Sequence, residues 1–372
     1  MTARAAPLLT NLALSAASVA AAALLVEAGL RAAGYAPPRY QSPGGAWSAR
    51  ERILLDCYPS NPRGYFDLDL REAAVAGRYR RLGVQGIDEV AERDPFAVEL
   101  RFNSLRFRGG EFAPKRPGVV RVMVLGDSFT EGQGVKEADT YAAVLQRLLN
   151  SAEPDRWEVL NCGRRAADFP TLHKMFEKIL PFEPDLVVYG MVLNDADRSA
   201  AFNARHPRID DWILDRRRMI ESPEPMRLRP LQSRLAALVE DRVDAWRIHR
   251  AGSRWYLELY GEPNREGWER TQAYLREMDR RLEERGARLL VASWPLLVNL
   301  EGEDPFAAAT DTIARFCLSA GIARHDLRPA LRGGPTESLW VHPVDRHPNE
   351  LAHRLAAETL VPVVRQLVGG TR

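Results

Sequence analysis

The chain has 372 residues, 52 of them basic and 50 acidic, for a formal net charge of +2; the length suits about two domains and a sizeable core. That balance excludes a global field that would recruit nucleic acid. Groups such as Arg216-Arg217-Arg218 and Arg280-Arg281 sit in polar segments and read as solvated faces. Three cysteines (Cys57, Cys162 and Cys317) cannot form a fully paired framework, and no C-x-x-C spacing suggests zinc.

From the amino terminus, Leu8 to Val26 is apolar apart from Thr10, Asn11, Ser15 and Ser18, and Glu27 and Arg31 end the run. At about 1.5 Å per residue such a helix reaches about 28 Å, close to a ~30 Å hydrocarbon core. Residues 1–35 are therefore expected to form a transmembrane signal-anchor. A cleaved signal peptide is the alternative, although the run is longer than a usual h-region and no clean cleavage site follows. Arg4 precedes the span and Arg31 and Arg39 follow it, so the positive-inside count does not orient it. A single span ahead of a large domain is the pattern of an export signal, which places the bulk of the chain outside the cytoplasm.

Pro37, Pro38, Pro43, Gly44 and Gly45 mark a linker. Phe96, Val98, Leu100 and Phe102 alternate as a half-buried strand would, and Leu105 and Phe107 continue the pattern out of phase. The rest of 36–118, including Cys57-Tyr58 and Gly64-Tyr65-Phe66, reads as an irregular subdomain. Beyond it, strands are expected at 119–126, 157–162, 185–191, 287–293 and 322–326. Helices are expected at 137–150, 170–180, 266–285, 305–319 and 350–367. This alternation predicts an α/β domain over 119–372, three layers α/β/α around a mainly five-stranded parallel sheet. Residues 196–262 interrupt it with Arg-rich sequence and then a helical pattern from Leu231 to Tyr260, an insertion suited to a lid or cap.

The first of these strands ends abruptly at Gly126-Asp127-Ser128, which places Ser128 just past its carboxyl end, where open α/β sheets bind ligands. Ser128 and Glu131 also fit a capping box. The nucleotide-binding glycine fingerprints fail here, and so does G-x-S-x-G, because Thr130 holds the place of its second glycine.

Four places offer polar groups to one rim: Ser128, then Asn161-Cys162-Gly163, then Asn194-Asp195, then Asp345-Arg346-His347-Pro348-Asn349. In order and spacing, GDSFTEGQGV, NCG, LNDAD and DRHPN resemble the blocks of the SGNH hydrolases, also called GDSL esterases. The resemblance covers about residues 119 to 368. It implies a flavodoxin-like sheet and a serine esterase with Ser128 as nucleophile, His347 as base and Asp345 as its partner. The Ser128 amide, the Gly163 amide and the Asn194 side chain would be the oxyanion donors. A serine hydroxyl needs a base to take its proton, the imidazole needs an acceptor to fix its tautomer, and the oxyanion needs hydrogen-bond donors.

Two departures stand out. Val192 replaces the glycine usual two residues before Asn194, and Asp345 lies two residues before His347 where the family usually has three. A contact across the shorter spacing is expected in a turn. Asn349 reads as the N-cap of the last helix. His342, His347 and His353 match no metal-ligand spacing, and no cofactor is expected. The expected substrate is a short-chain acyl ester, with acetylated carbohydrate a candidate. The same acyl-enzyme would serve an O-acyltransferase, and a non-catalytic glycan- or partner-binding protein on this fold is the other alternative. Beyond the substrate, the membrane is the expected partner, through the amino-terminal helix, with no nucleic acid.

Overall fold

The computed structural model describes residues 5–35, 67–68, 96–98, 100–206, 231–342 and 345–369. The expected linker, Cys57-Tyr58, Gly64-Tyr65-Phe66 and Arg216-Arg217-Arg218 lie outside the described residues. Helix α1 (Ala5–Ala32) contains a stretch, Thr10–Ala32, of mean hydropathy 1.8 that is long and apolar enough to cross a membrane by length and composition.

Strand β1 (Asp67–Leu68) pairs antiparallel with β2 (Phe96–Ala97). The strand expected to run on to Phe102 pairs over only these two residues, and Phe102 bridges back to Arg108. Asn103 is the cause. Its side-chain oxygen accepts from the N–H groups of Leu105 (3.1 Å) and Phe107 (2.9 Å), which turns the chain before a ladder can extend. The turn buries Phe107 in the core and brings Arg108 against the loop that follows the next strand.

The central sheet begins with β3 (Val120–Gly126), followed by the one-turn helix α2 (Ser128–Glu131), α3 (Tyr141–Ala152) and β4 (Trp157–Gly163). Next come α4 (Phe169–Ile179), β5 (Leu186–Met191), α5 (Ala200–Arg205), α6 (Arg234–Glu258) and α7 (Arg265–Glu283). The chain continues with β6 (Arg288–Ser293), α8 (Ala307–Ala320), β7 (Ala323–Asp326) and the short α9 (Arg328–Leu331). It closes with a small antiparallel pair, β8 (Trp340–His342) and β9 (Asp345–Pro348), and α10 (Glu350–Gly369).

The five long-range strands lie in the order β4-β3-β5-β6-β7, every neighbouring pair parallel. Both faces of β3 are buried. Met123 and Leu125 join the cluster under α4, α7 and α8, while Val122 and Val124 join the cluster under α3 and α10. Each such fully buried side chain is worth about 1.5–3 kcal/mol. This is the three-layer α/β/α sandwich expected from the alternation of strands and helices.

One boundary differs from the sequence reading. Helix α3 starts at Tyr141, not 137, because the Thr140 hydroxyl accepts from Ala143 N–H (3.4 Å) and so caps the helix there; 137–139 form a 3₁₀ turn. The one polar residue in the β3 run, Arg121, is fully buried. It pairs with Glu158 at 2.5 Å and donates to the carbonyls of Phe182 (2.7 Å) and Ala113 (2.8 Å), so its charge and donors are met inside the fold.

Candidate active site

The chain leaves the sheet at the carboxyl ends of β3 and β5, neighbours whose helices lie on opposite faces, and this switch point is where doubly wound sheets bind ligands. Gly126 makes the exit possible. A Cβ there would sit 2.1 Å from Thr130 Oγ1 and 2.8 Å from the Gly190 carbonyl. The N-cap of α2 is Asp127, whose Oδ1 accepts from Phe129 N–H at 2.8 Å. The capping-box reading of Ser128 with Glu131 is therefore corrected: Ser128 is the first residue of the helix, its backbone N–H is among those no helical carbonyl takes, and its side chain is left for other use.

That side chain meets an imidazole 219 residues away. Ser128 Oγ lies 2.9 Å from His347 Nε2. On the other side of the ring, Nδ1 is hydrogen-bonded to Asp345 Oδ1, which also accepts from the His347 backbone N–H at 3.1 Å. Both residues lie on β9, and the two-residue period of a strand puts them on one face. The contact expected in a turn is made on a strand.

Electrostatics tune this pair. Burial pushes the His347 imidazolium pKa down, but the charge and hydrogen bond of Asp345, with the charge of Asp127 behind them, outweigh it and hold the group above its ordinary value. Burial raises the Asp127 carboxyl, against the bonds from Phe129, Asn194 and Ser128 and the charge of His347. Such a ring can take a proton through Nε2 while Nδ1–H stays on the carboxylate, an arrangement suited to general-base activation of a hydroxyl.

Asn194, in the turn after β5, donates through Nδ2 to Asp127 Oδ2 at 3.3 Å, which uses one of its two amide hydrogens. Its turn is closed by Asp195, whose Oδ2 accepts from Val192 N–H (2.9 Å) and the Tyr189 hydroxyl (2.7 Å). Gly163 sits differently from the expectation. Its N–H donates to Asn161 Oδ1 at 2.9 Å, and a Cβ there would lie 2.1 Å from the backbone nitrogen of Glu131. The glycine is required by the close approach of α2 to β4, and its amide hydrogen is engaged by Asn161.

The sequence profile of the GDSL-like lipase/acylhydrolase family matches residues 124–355. The chain belongs to this family. It is accordingly a serine hydrolase acting on ester bonds. Similar solved structures include the lipase/acylhydrolase from Enterococcus faecalis (12% identity, 66% of this chain and 96% of that one, TM-score 0.40). A second is the esterase EstA from Pseudoalteromonas sp. (11%, 67% and 98%, 0.40), and a third is a catalytic mutant of Axe2, an acetylxylan esterase from Geobacillus stearothermophilus (13%, 68% and 97%, 0.39). A search of curated proteins returned no match.

Within this GDSL domain the sequence reading missed Gln133 and Asp127 as neighbours of the site. Gln133 is buried and its amide lies 3.1 Å from His347 Nδ1. The loop that carries Gln133 is pinned by Arg108, which donates to the carbonyls of Glu131 (3.0 Å), Gly132 (2.6 Å) and Val135 (2.6 Å). Buried Glu131 pairs with Arg165 at 2.7 Å. A lone Gln in a loop has no signature, whereas Asp127 stood in the GDS block itself.

Of the other histidines, His353 accepts the Tyr141 N–H on Nδ1 at 3.1 Å, and burial lowers its pKa to about 3, so it is a neutral joint between α10 and α3. Among the described residues, His173, Glu177 and Glu277 come close enough to share a cation, but Arg281 already pairs with both carboxylates.

Proposed function

We propose that the protein hydrolyses short-chain acyl esters through an acyl-enzyme on Ser128. His347 removes the hydroxyl proton as Ser128 Oγ bonds to the ester carbonyl carbon, then delivers that proton to the departing alcohol. Water attacks the acyl-enzyme by the reverse proton path. Asp345 steadies the imidazolium. The Ser128 amide and the second amide hydrogen of Asn194 meet the oxyanion, and Gly163 joins them where Asn161 releases its N–H. One such donor is worth on the order of 100- to 1000-fold in rate.

The 2.9 Å contact between Ser128 Oγ and His347 Nε2, with Asp345 behind the ring, is the observation that supports this reading. A binding protein without chemistry has no use for that arrangement. The acyl group we favour is acetyl and the alcohol a carbohydrate, with α1 as a membrane anchor and the hydrolase domain on the extracytoplasmic side. Residues 1–35 are then the anchor, 36–118 a linker and small subdomain, and 119–372 the hydrolase domain with its insertion at 196–262.

The full chain should cleave p-nitrophenyl acetate, and Ser128→Ala should lower the rate to background. Equal rates for the two proteins would contradict the mechanism. Adding an oligosaccharide acceptor to the same assay distinguishes hydrolysis from transfer, because transfer yields an acetylated sugar in place of free acetate.

A further inference from the structure

The amino-terminal helix does not stand apart from the rest of the chain. Glu27, near the end of α1, receives three hydrogen bonds from the start of α6: from Ser233 Oγ (2.9 Å), Arg234 N–H (3.0 Å) and Leu235 N–H (2.8 Å). Ser233 Oγ in turn accepts from Ala236 N–H at 3.1 Å. The first three N–H groups of α6, which no helical carbonyl takes, are thus all met, two of them by a carboxylate some 207 positions earlier in the chain. One turn further along α1, Arg31 pairs with Glu27 at 2.5 Å and donates to the Gln232 carbonyl at 3.0 Å.

The plain alternative is a Glu–Arg pair at i,i+4 on a helix surface, worth a few tenths of a kcal/mol and nothing more. Two observations count against it. The Glu27 side chain is only 17% exposed, and its bonds go to backbone groups of another helix. A carboxylate at the edge of an apolar span is costly unless partnered. Here the positive end of a helix and an arginine both partner it.

The far end of α6 is rooted elsewhere. Trp255, Tyr256 and Leu257 pack against the core that lies under α4, α7 and α8, and Leu259 and Tyr260 are buried in it. Its 25 residues, at about 1.5 Å each, reach roughly 37 Å. The insertion helix is therefore a strut with one end fixed in the hydrolase core and the other fixed to α1.

We propose that α1 is retained as a structural member of the enzyme, and that Glu27 and Arg31 lock its end to α6, so that the hydrolase domain is held to the membrane boundary through the insertion. The proposal rests on the reading of α1 as an anchor. A leader removed by cleavage would leave the first turn of α6 without two of its caps.

The test uses the full chain extracted from membranes in mild detergent. Intact mass should show residues 1–35 still attached. Hydrogen exchange over 234–240 should then be on the order of ten-fold faster in Glu27→Ala than in the parent, the worth of one lost cap. Glu27→Gln, which keeps an accepting oxygen, should fall between them. Labelling of Ser128 by a fluorophosphonate should stay unchanged in both variants, which separates this lock from the catalytic reading. A mature chain beginning after Arg31 would overturn both the anchor and the lock. A retained α1 with equal exchange in parent and Glu27→Ala would overturn the lock alone.

Discussion

At the scale of single residues, the site's pH behaviour follows from what surrounds two side chains. His347 must be neutral to accept the Ser128 proton, and Asp345 and Asp127 hold its pKa above the ordinary value against the pull of burial. The acid limb of kcat/KM should therefore lie above about 6.5, the unperturbed imidazole value. Asp345→Asn removes the main upward influence, so the limb should move to lower pH while kcat/KM falls by at least about 100-fold. A limb that stays in place would show that Asp345 does not govern the imidazole. The stability sign is the opposite of the activity sign. Because the folded pKa is the higher one, the pair's contribution is complete below the unfolded value and fades as pH rises through the folded value.

Asp195 gives a second case. It is fully buried, with one oxygen bonded to Tyr189 and Val192 and the other without a partner among the described residues, and burial together with the charge of Asp127 raises its pKa well above the usual carboxylate range. The folded state keeps a proton that the unfolded chain releases, so this group costs stability as pH rises from about 4. Asp195→Asn should flatten the fall in melting temperature from pH 4 to 7, whereas Asp195→Ala should lower melting at every pH by leaving the Tyr189 hydroxyl and Val192 N–H unpaired. A steeper fall for the Asn variant would contradict a neutral Asp195.

At the scale of elements, the turn that presents Ser128 is a close-packed assembly. Gly163→Ala would drive a methyl into the α2 backbone at Thr130 and Glu131. Overpacking of this kind costs about 1–3 kcal/mol, and a displacement of α2 moves Ser128 with it. The expected result is a lower melting temperature and a kcat on p-nitrophenyl acetate reduced more than ten-fold; a fully active Gly163→Ala would mean that α2 has room to spare. Arg121 acts at the other end of β3, tying it to Glu158 and to the carbonyls of Ala113 and Phe182. Arg121→Met leaves Glu158, itself partly exposed, without its cation, and should cost about 2–4 kcal/mol by urea unfolding with little effect on the intrinsic rate of the folded enzyme.

At the scale of the whole molecule, the parallel sheet was legible because burial on both faces writes a strand as an unbroken apolar run, as in Val122 to Leu125 and Leu186 to Tyr189. Its carboxyl-end rim was legible because the blocks around Ser128 and Asn194 each follow such a strand and the block around His347 leads into the last helix. What escaped was written in side chains with no period. Asn103 stops a strand by bonding its own backbone, Asp127 takes the cap that Ser128 was a candidate for, and Gln133 reaches His347 from a loop. The Asp345–His347 contact was expected, but in a turn: the chain makes it along a strand, where a two-residue spacing keeps both side chains on one face. The joint between α1 and α6 was beyond sequence reasoning altogether, since nothing local links Glu27 to Ser233.

The claim on which all of this turns is that Ser128 is a nucleophile activated by His347. The direct measurement is reaction of the full chain with a fluorophosphonate probe, followed by mass-spectrometric mapping of the modified residue, in the parent, Ser128→Ala and His347→Ala. The account predicts a single adduct on Ser128 in the parent, none in Ser128→Ala, and labelling slowed by at least about 100-fold in His347→Ala. An unlabelled parent, or an adduct that persists when Ser128 is replaced, would contradict it.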